Sequence, residues 1–517
     1  MTNLLTQAAE LARLLLKSSQ PPRELTSTFL HKQKRLDSSE RRFISSVAHH
    51  ALRVWRFACA CSIGESGDIE TRPSPKETRI VLASSILLSS NGFLPPFLSK
   101  AESTSFHKSA AKPSTVGLPP GTVQSAPALD ISESEEFRAF VTKYARAMLS
   151  RETGMTVETL LEQAVRWDSA SQSAAGRAGV PVQEGDGPSS EEIADSTAIA
   201  IRWSLPNWVV RTWREQEPRL SFLQIADIGR GLCTAAPLVL RVNRLRTNRA
   251  SLIATLIDAD IEAVEHPVLP DAIIVPGRES LMESSWYEAG MFEIQDAGSQ
   301  LITLACGVHP GWNVLDACAG GGGKTMHLAD VMQDSGTLVA CDIERSKLRG
   351  LEQRGRRLTL NSLRTMALAP DGQRQDGGDA FAENEKFDCV LVDAPCSGFG
   401  TVRRHPALKW RLTEKTVLRL AGRQAAILSR NADHVREGGI LLYATCSLLP
   451  QENRANLNHF LTTHPDFILE SLTPQFASSS IALDSAADDT GELLLFPAIL
   501  DSDGFYMARL RQDSSRL

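Results

Sequence analysis

Near-continuous apolar runs alternate with amphipathic segments along the second half of the chain. The runs "WNVLDAC", "GTLVACDI", "FDCVLVDAP" and "GGILLYATC" are typical of strands that are buried on both faces. Segments with helical spacing follow them, among them "KTMHLADVM", "ERSKLRGLEQRGRRL" and the stretch from Lys415 to Val435. This alternation predicts a parallel, doubly wound α/β sheet over residues 291–517, with a late strand at "GFYMARL".

Helical spacing of the apolar positions marks the first part of the chain instead. Leu4, Leu11 and Leu15 fall on one face of a predicted helix near the N-terminus. The segment "SSERRFISSVAHHALRVWRF" predicts another helix, with its cap at Ser38 or Ser39. The run "RIVLASSILLSS" predicts a further buried segment. We therefore expect an all-α region here.

Two polar stretches divide the chain into regions. Residues 94–130 are rich in Pro, Ser and Gly and are predicted to form a loop, and "DSASQSAAGRAGVPVQEGDGPSSEEIAD" is predicted to be disordered. Beyond them, "LPNWVVRTWREQ" predicts a helix, and "PLVLRVNRLRTNRASLIATL" predicts a strand, a turn and a helix. We predict a helical domain at 1–168, a linker at 169–198, a small α+β subdomain at 199–290 and the α/β domain at 291–517.

Composition narrows the class of protein. Of the 517 residues, 42% are hydrophobic and 22% are charged, which is typical of a globular protein with several domains. The net charge of -6 argues weakly against nucleic acid unless basic residues are clustered locally. The 9 cysteines form no disulfide framework, which fits a reducing cytoplasm. We expect a monomer, with no metal site because no metal-ligand spacing occurs, and no membrane span because no apolar run is long enough.

The glycine run in "DACAGGGGKTMHL" indicates a ligand-binding turn. The phosphate loop of nucleoside triphosphatases requires Gly where this chain has Cys318. The dinucleotide fingerprint requires its third Gly where this chain has Thr325 or Met326. What remains is a strand that ends in Asp316, a Gly-rich turn, a helix, and a second strand that ends in Asp342. An acid at that second position can bind ribose hydroxyls, so the pattern favours S-adenosylmethionine, which has a ribose but no phosphate.

Two cysteines directly follow predicted strands, Cys396 in "VDAPCSGFGTVRRHP" and Cys446 in "YATCSLLPQEN". A buried cysteine is usually inert, but these two are expected at the edge of the ligand crevice, beside Asp393. Two thiols and a carboxylate beside a methyl donor suit methylation of a pyrimidine at C5. Addition of a thiolate to C6 makes C5 nucleophilic, and a carboxyl group can hydrogen-bond N3.

Six motifs in order resemble the Sun (Fmu) family of RNA cytosine-5 methyltransferases over residues 199–511. They are "RVNRLRTNR", "FEIQDAGSQL", "DACAGGGGKT", "DAPCSG", "YATCSLLPQEN" and "DGFYMARL". The resemblance implies a Rossmann-like methyltransferase sheet that uses S-adenosylmethionine. One departure is Gly321, where the family usually has Pro. The N-terminal region, with "LDSSERRFISSVAHHALRVWR", is similar to the NusB-like RNA-binding domain of the family's small-subunit ribosomal RNA branch.

The resemblance implies a role for each site residue. Cys446 is expected to be the nucleophile and Cys396 to help release the product, while Lys324 lines the site and Asp393 contacts the base. Asp371 and Asp376 compete with Asp379 as the third cofactor-binding acid. The full set expected to bind the cofactor is Cys318, Ala319, Gly320, Gly321, Gly322, Gly323, Lys324, Asp342, Asp379 and Asp393.

Basic residues cluster locally despite the acidic total. Arg244 and Arg246 lie in a stretch without acids, and Arg403, Arg404 and His405 follow the Pro-Cys motif. We expect these five side chains to contact RNA phosphates. The target cytosine must be unstacked to reach a thiol, so a flipped or single-stranded base is expected.

The leading hypothesis is methylation of C5 of a cytosine in small-subunit (16S) ribosomal RNA through a covalent cysteine–C6 adduct. The same chemistry on transfer RNA is an alternative, although the N-terminal helical domain argues against it. A non-catalytic RNA-binding assembly factor is a second alternative, against which the intact Cys446, Cys396 and Lys324 argue. A DNA cytosine methyltransferase is a third, but such enzymes use the Pro-Cys thiol as nucleophile and generally lack the Thr-Cys thiol.

Overall fold

The computed structural model describes residues 2–515, except for 19, 21, 34–35, 63–73, 91–144, 152, 154, 177–189, 217–218, 277–280, 377–380, 382–384, 482–490 and 514. The loop predicted at 94–130 therefore lies outside the described residues. Contacts divide the chain into two compact units. The first comprises Met1–Val210, Ser221–Ala235 and Arg404–Arg411, and the second comprises Arg211–Leu220, Ala236–Arg403 and Leu412–Leu517.

The helices and strands follow in chain order. The α-helices are α1 Thr2–Lys17, α2 Pro22–Lys32, α3 Ser38–Arg53, α4 Trp55–Ser62, α5 Pro75–Ser90, α6 Val157–Gly176, α7 Ser190–Arg202, α8 Asn207–Glu215, α9 Phe222–Cys233, α10 Arg249–Asp258, α11 Ser285–Glu288, α12 Ala297–Ala305, α13 Gly323–Val331, α14 Arg345–Leu358, α15 Leu408–Arg411, α16 Glu414–Ala432, α17 Arg454–Thr463, α18 Thr473–Ser478 and α19 Pro497–Leu500. The strands are β1 Leu238–Val242, β2 Val264–Glu265, β3 Ala272–Val275, β4 Phe292–Ile294, β5 Asn313–Asp316, β6 Thr337–Asp342, β7 Leu363–Ala367, β8 Phe387–Asp393, β9 Val435–Thr445, β10 Phe467–Leu469, β11 Glu492–Leu495 and β12 Phe505–Gln512. Short 3₁₀ helices lie at Leu281–Glu283, Phe399–Thr401 and Pro450–Glu452.

The described part of the first unit is helical, as its apolar spacing predicts. The predicted face of α1 is buried, with Leu11 and Leu15 fully enclosed where α1 packs against α3 and α5. The predicted cap of α3 is wrong by one position, because Asp37 rather than a serine occupies it. The Asp37 carboxylate accepts from the Glu40 amide at 2.8 Å, and the Glu40 carboxylate accepts from the Asp37 amide at 3.1 Å. This reciprocal box satisfies two amides that the helix leaves unpaired.

The stretch predicted to be disordered is helical over part of its length. Helix α6 continues to Gly176 and α7 begins at Ser190. Buried Ser171 and Ala174 explain the continuation, because small side chains let this part of α6 pack closely against its neighbours. The predicted linker at 169–198 thus contains the end of one helix and the start of the next, and 177–189 lies outside the described residues.

The short segment Arg404–Arg411 packs within the first unit although it follows the Pro-Cys motif in the chain. Ala407 lies in the core of that unit. The Trp410 indole donates to the Leu52 carbonyl at 3.0 Å, and Lys409 Nζ donates to the Arg53 carbonyl. Burial lowers the pKa of Lys409 to about 8.

The second unit contains two sheets. The small sheet has the order β2-β3-β1-β4 and is antiparallel, with α10 and α11 beside its strands. The large sheet has the order β10-β12-β9-β8-β5-β6-β7, and β11 pairs with β12. Strands β9, β8, β5, β6 and β7 are parallel, as predicted. The predicted late strand, β12, lies antiparallel between β10 and β9 at one side of this sheet.

The topology places the candidate site. In an open sheet, ligands bind beyond the carboxyl ends of parallel strands. Strands β5, β6 and β8 end at Asp316, Asp342 and Asp393, and β9 ends at Thr445, directly before Cys446. The chain therefore brings three acids and a thiol to one edge of the sheet.

Candidate active site

The glycine loop connects β5 to α13 and is held in a specific shape. Gly320 and Gly322 have φ angles of 55° and 83°, a region that residues with a side chain rarely adopt. The Gly320 amide donates to Asp342 Oδ2 at 2.9 Å, and the Ala319 amide donates to the Cys341 carbonyl at 2.8 Å. The loop is thus fixed to the end of β6, and the predicted ribose-binding acid also positions the loop.

Asp316 lies beneath this loop and is 1% exposed. Its Oδ2 accepts from Thr325 Oγ1 at 2.7 Å, while Oδ1 has no hydrogen-bond partner among the described residues. Burial raises the pKa of Asp316 to about 7, and the negative charge of Asp393 acts in the same direction. Asp316 therefore stabilises the first turn of α13 through Oδ2, so its two oxygens are not both available to a ligand.

Lys324 and Asp393 form an ion pair at the carboxyl edge. Lys324 Nζ lies 2.6 Å from Asp393 Oδ2 and 5.7 Å from the centre of the Phe505 ring. Burial alone would lower the pKa of Lys324, but the attraction and hydrogen bond of Asp393 outweigh it, so the pKa lies above its usual value. The Cys446 sulfur also contributes to this increase. A charged amine therefore stands beside the carboxylate and the predicted nucleophile.

The two predicted thiols lie together. Cys396 Sγ and Cys446 Sγ are 3.2 Å apart, and both residues are half-buried. Hydrogen bonding to Cys446 and burial raise the pKa of the Cys396 thiol well above its usual range, and the charge of Glu452 adds to this increase. The remaining cysteines, apart from the half-buried Cys318, are buried in the cores, as expected for inert packing.

Backbone contacts connect the two thiol loops. The Gly400 amide donates to the Cys446 carbonyl at 2.9 Å, and the Gly504 amide donates to the Gly400 carbonyl at 2.8 Å. A Cβ atom at Gly400 would lie 1.9 Å from the Gly504 carbonyl oxygen, so only glycine fits. The segment before β12 is thereby packed against the loop that carries Cys396.

A buried carboxylate that sequence reasoning missed lies beneath both loops. Glu452 is fully buried in the 3₁₀ helix after the Thr-Cys motif. Its oxygens accept hydrogen bonds from Ser397, Ser447 and Gln424. Glu452 lies within the motif "YATCSLLPQEN", but a polar residue at the start of a predicted helix gives no local sign of burial.

The predicted RNA contacts differ in their placement. Arg403 is 1% exposed, and its guanidinium donates to the Ser502 carbonyl at 2.9 Å and to Asp501 at 2.6 Å. The prediction that Arg403 binds phosphate is therefore wrong for this conformation, because its charge is already neutralised within the chain. Arg404 and His405 are half-buried in the segment that packs within the first unit.

The other two predicted RNA contacts lie in the second unit. The Arg244 side chain is 63% exposed and approaches Asp271 at 3.7 Å, which leaves it accessible to a phosphate. Arg246 donates to the Leu358 carbonyl at 3.1 Å and to Thr359. Of these two, Arg244 has the placement that suits an RNA contact.

The remaining predictions concern the third cofactor-binding acid, a metal site and a membrane span. Asp379 lies outside the described residues, whereas Asp371 accepts from the Gln373 amide at 3.0 Å and Asp376 pairs with Arg374. Neither rival is therefore singled out as a cofactor ligand. Among the described residues, no group of His, Cys, Asp and Glu could hold a metal ion. No described helix is long and apolar enough to cross a membrane.

The sheet, the glycine loop and the paired thiols define an S-adenosylmethionine-dependent methyltransferase. A family model described as 16S rRNA methyltransferase RsmB/F matches residues 303–511. A second, for the ferredoxin-like domain of RsmF/B-like methyltransferases, matches residues 205–280. The probable ribosomal RNA small subunit methyltransferase B of Bacillus subtilis (strain 168) is 31% identical over 63% of this chain and 70% of its own length. The corresponding protein of Sodalis glossinidius is 32% identical over 62% of this chain and 69% of its own length.

Solved structures share the fold. PH0851 matches with a TM-score of 0.65 and 20% identity over 99% of both chains. NSun6 from Pyrococcus horikoshii, solved with SFG, matches with a TM-score of 0.50 and 19% identity over 59% of this chain and 98% of its own. The chain belongs to the RsmB/F family of 16S rRNA methyltransferases, which confirms the resemblance in the motifs.

Proposed function

We propose that this chain transfers a methyl group from S-adenosylmethionine to C5 of a cytosine in small-subunit ribosomal RNA. The observation that carries the proposal is the pair of thiols 3.2 Å apart at the edge where the glycine loop and the Lys324–Asp393 ion pair also lie. Family membership supports the choice of ribosomal RNA.

The residues at the edge of the sheet fit the cofactor. A Cβ atom at Gly321 or Gly323 would meet nothing within 4 Å, so this face of the loop borders open space. Asp342 would bind the ribose hydroxyls, and half-buried Cys318 and Asp393 would line the pocket. When bound there, S-adenosylmethionine supplies an electrophilic methyl group on a cationic sulfur.

The chain's own residues would then act on the base. Cys446 Sγ, as thiolate, bonds to C6, and the electron pair of the C5–C6 double bond becomes available at C5 for the methyl group. The Lys324–Asp393 pair would share a proton with N3 as the ring loses aromaticity. Loss of the C5 proton then re-forms the double bond and expels the Cys446 thiolate, a step that Cys396 assists.

The charges around the two sulfurs support this division of roles. Cys446 lies near a cation, because its sulfur contributes to the raised pKa of Lys324. Cys396 experiences the negative charge of Glu452 and keeps a raised pKa, which favours the protonated thiol. The two cysteines therefore differ in environment although their sulfurs are in contact.

Methylation of purified small-subunit rRNA tests the proposal. The protein is incubated with S-adenosylmethionine and rRNA from cells that lack the gene, and 5-methylcytosine is mapped by bisulfite sequencing. We expect one new site with the wild type, none with Cys446→Ala, and a trapped protein–RNA adduct with Cys396→Ala. Methylation of transfer RNA alone, or adduct formation that requires Cys396, would contradict the proposal.

Three further expectations extend the proposal. We propose the domain boundaries 1–168, 169–198, 199–290 and 291–517, which limited proteolysis would test. We also propose a cytoplasmic protein, because all nine cysteines are free. A monomer is proposed as well, and sedimentation of the purified chain would test it.

A further inference from the structure

Glu452 makes an unusually complete set of hydrogen bonds for a buried carboxylate. Its Oε1 accepts from the Ser397 amide at 2.8 Å and from Gln424 Nε2 at 2.9 Å. Its Oε2 accepts from the Ser397 hydroxyl and from the Ser447 hydroxyl, both at 2.5 Å. An ionised carboxylate is an acceptor only, and here each of its oxygens has two donors.

The donors belong to the residues that directly follow the two thiols. Ser397 follows Cys396 and Ser447 follows Cys446. Each serine hydroxyl also accepts from the amide two residues further on, Phe399 at 3.3 Å and Leu449 at 3.2 Å. Both cysteine loops therefore donate a serine hydroxyl to the same carboxylate, although 50 residues separate the cysteines in the chain.

This arrangement is not explained by packing alone. Among the described residues, no lysine or arginine forms a salt bridge with Glu452, so the cost of burying its carboxyl group is offset mainly by these hydrogen bonds. A neutral side chain of the same volume would fill the space without that cost of desolvation. What the carboxylate adds is a geometric constraint on both loops at once.

We propose that Glu452 is a positioning residue that holds the two thiol loops in register, so that the Cys446 and Cys396 sulfurs lie side by side at the substrate base. The inference rests on the proposed cytosine methylation and deepens it. The Ser447 hydroxyl fixes the loop of the nucleophile, and the Ser397 hydroxyl and amide fix the loop of the thiol that aids release.

Substitution of Glu452 by Gln tests the proposal while preserving side-chain volume. The Gln amide nitrogen can only donate, so the two serine hydroxyls that donated to Oε2 must turn and accept, and the short contacts of a carboxylate become longer and weaker amide contacts. We expect adduct formation with rRNA to slow about 10- to 100-fold, the effect typical of a displacement near 1 Å, with an unchanged KM for S-adenosylmethionine. Glu492→Gln is the matched control, since Glu492 is also buried but accepts from Tyr506 at 2.5 Å and contacts neither serine.

Single serine variants separate positioning from a general loss of stability. Ser447→Ala should slow formation of the adduct, whereas Ser397→Ala should slow its release and make it accumulate. A purely structural role would change both steps alike in both variants. Equal effects of the two substitutions on both steps would therefore overturn the proposal, even where Glu452→Gln does not fold.

A measurement without RNA distinguishes this inference from the proposed function. Diamide removes two electrons and two protons from a close thiol pair, leaving a disulfide between Cys396 and Cys446 and reduced diamide. We expect the wild type and Glu492→Gln to form this disulfide quickly. Glu452→Gln should form it at least about tenfold more slowly, because the two thiol loops are displaced from each other. Equal rates of disulfide formation in all three proteins would refute the positioning role. If Glu452→Gln forms the disulfide more slowly but the wild type does not methylate rRNA, only the proposed substrate chemistry is refuted.

Discussion

Replacing Gly322 by Ala should weaken cofactor binding because of strain in the glycine loop. Gly322 has a φ angle of 83°, and a Cβ atom there would lie 2.8 Å from Leu351 Cγ. The left-handed conformation costs a residue with a side chain about 1–2 kcal/mol, and displacing Leu351 from its rotamer costs about 0.5–1.5 kcal/mol. The free variant relieves this strain of about 2–3 kcal/mol by changing the conformation of the loop. Binding of the cofactor requires the wild-type conformation, so the same free energy is lost from binding. At about 1.4 kcal/mol per tenfold, the dissociation constant for S-adenosylmethionine should rise about 30- to 100-fold.

Gly350→Ala, in α14 and outside the glycine loop, is the matched control. Gly350 does not have a positive φ angle, and a Cβ atom there would meet nothing within 4 Å. The substitution should raise the free energy of unfolding by about 0.4–1 kcal/mol, because Ala reduces the conformational entropy of the unfolded chain. It should leave cofactor binding nearly unchanged. Calorimetric titration with S-adenosylmethionine and thermal unfolding measure the two quantities separately. Wild-type affinity in Gly322→Ala would refute the assignment of this loop as the cofactor cradle.

Three further perturbations follow from the geometry. Asp393→Asn leaves Lys324 without its carboxylate, and single-turnover methyl transfer should fall about 100-fold, as for the loss of one well-placed polar group in an active site. Gly400→Ala places a Cβ atom 1.9 Å from the Gly504 carbonyl oxygen, and the free energy of unfolding should fall by about 1–3 kcal/mol in denaturant titrations. Burial lowers the pKa of His50 to about 3, so below about pH 6.5 the folded protein binds fewer protons than the unfolded chain and its stability decreases as the pH falls. By pH 5 the free energy of unfolding of the wild type should therefore fall by about 2 kcal/mol more than that of His50→Gln.

For each of these three perturbations, a specific result would contradict the expectation. Unchanged transfer in Asp393→Asn would remove the ion pair from the mechanism. Gly422→Ala is the control for Gly400→Ala, because a Cβ atom at Gly422 would meet nothing within 4 Å, and equal stability of the two variants would contradict the steric argument. A wild type whose stability below pH 6.5 follows that of His50→Gln would show that His50 is accessible to protons.

The sequence predicted the positions of the main chemical groups because strand ends can be read from apolar runs. Asp316, Asp342 and Asp393 end predicted strands, and Cys446 follows one, so parallel strands bring them to one edge. The antiparallel position of β12 could not be predicted, since it depends on which strand it pairs with in the folded chain. Strands β2, β3, β4, β7, β10 and β11 were missed; all of them except β7 have only two to four residues, too few for a clear pattern.

Burial was the property that sequence patterns described least well. Arg403 follows a functional motif and looks like a phosphate contact, yet it is enclosed and paired with Asp501. Glu452 looks like an ordinary polar residue at the start of a helix, yet its carboxylate lies beneath both thiol loops. Both outcomes depend on residues distant in the chain, about which local spacing carries no information.

The identity of the cysteine that bonds to the base tests the central claim most directly. Small-subunit rRNA that contains 5-fluorocytosine blocks loss of the group at C5, so the covalent complex persists and its peptide can be sequenced by mass spectrometry. The account predicts that the nucleotide is attached to Cys446, with Cys396 unmodified. Attachment to Cys396, or a complex that forms equally well in Cys446→Ala, would contradict it.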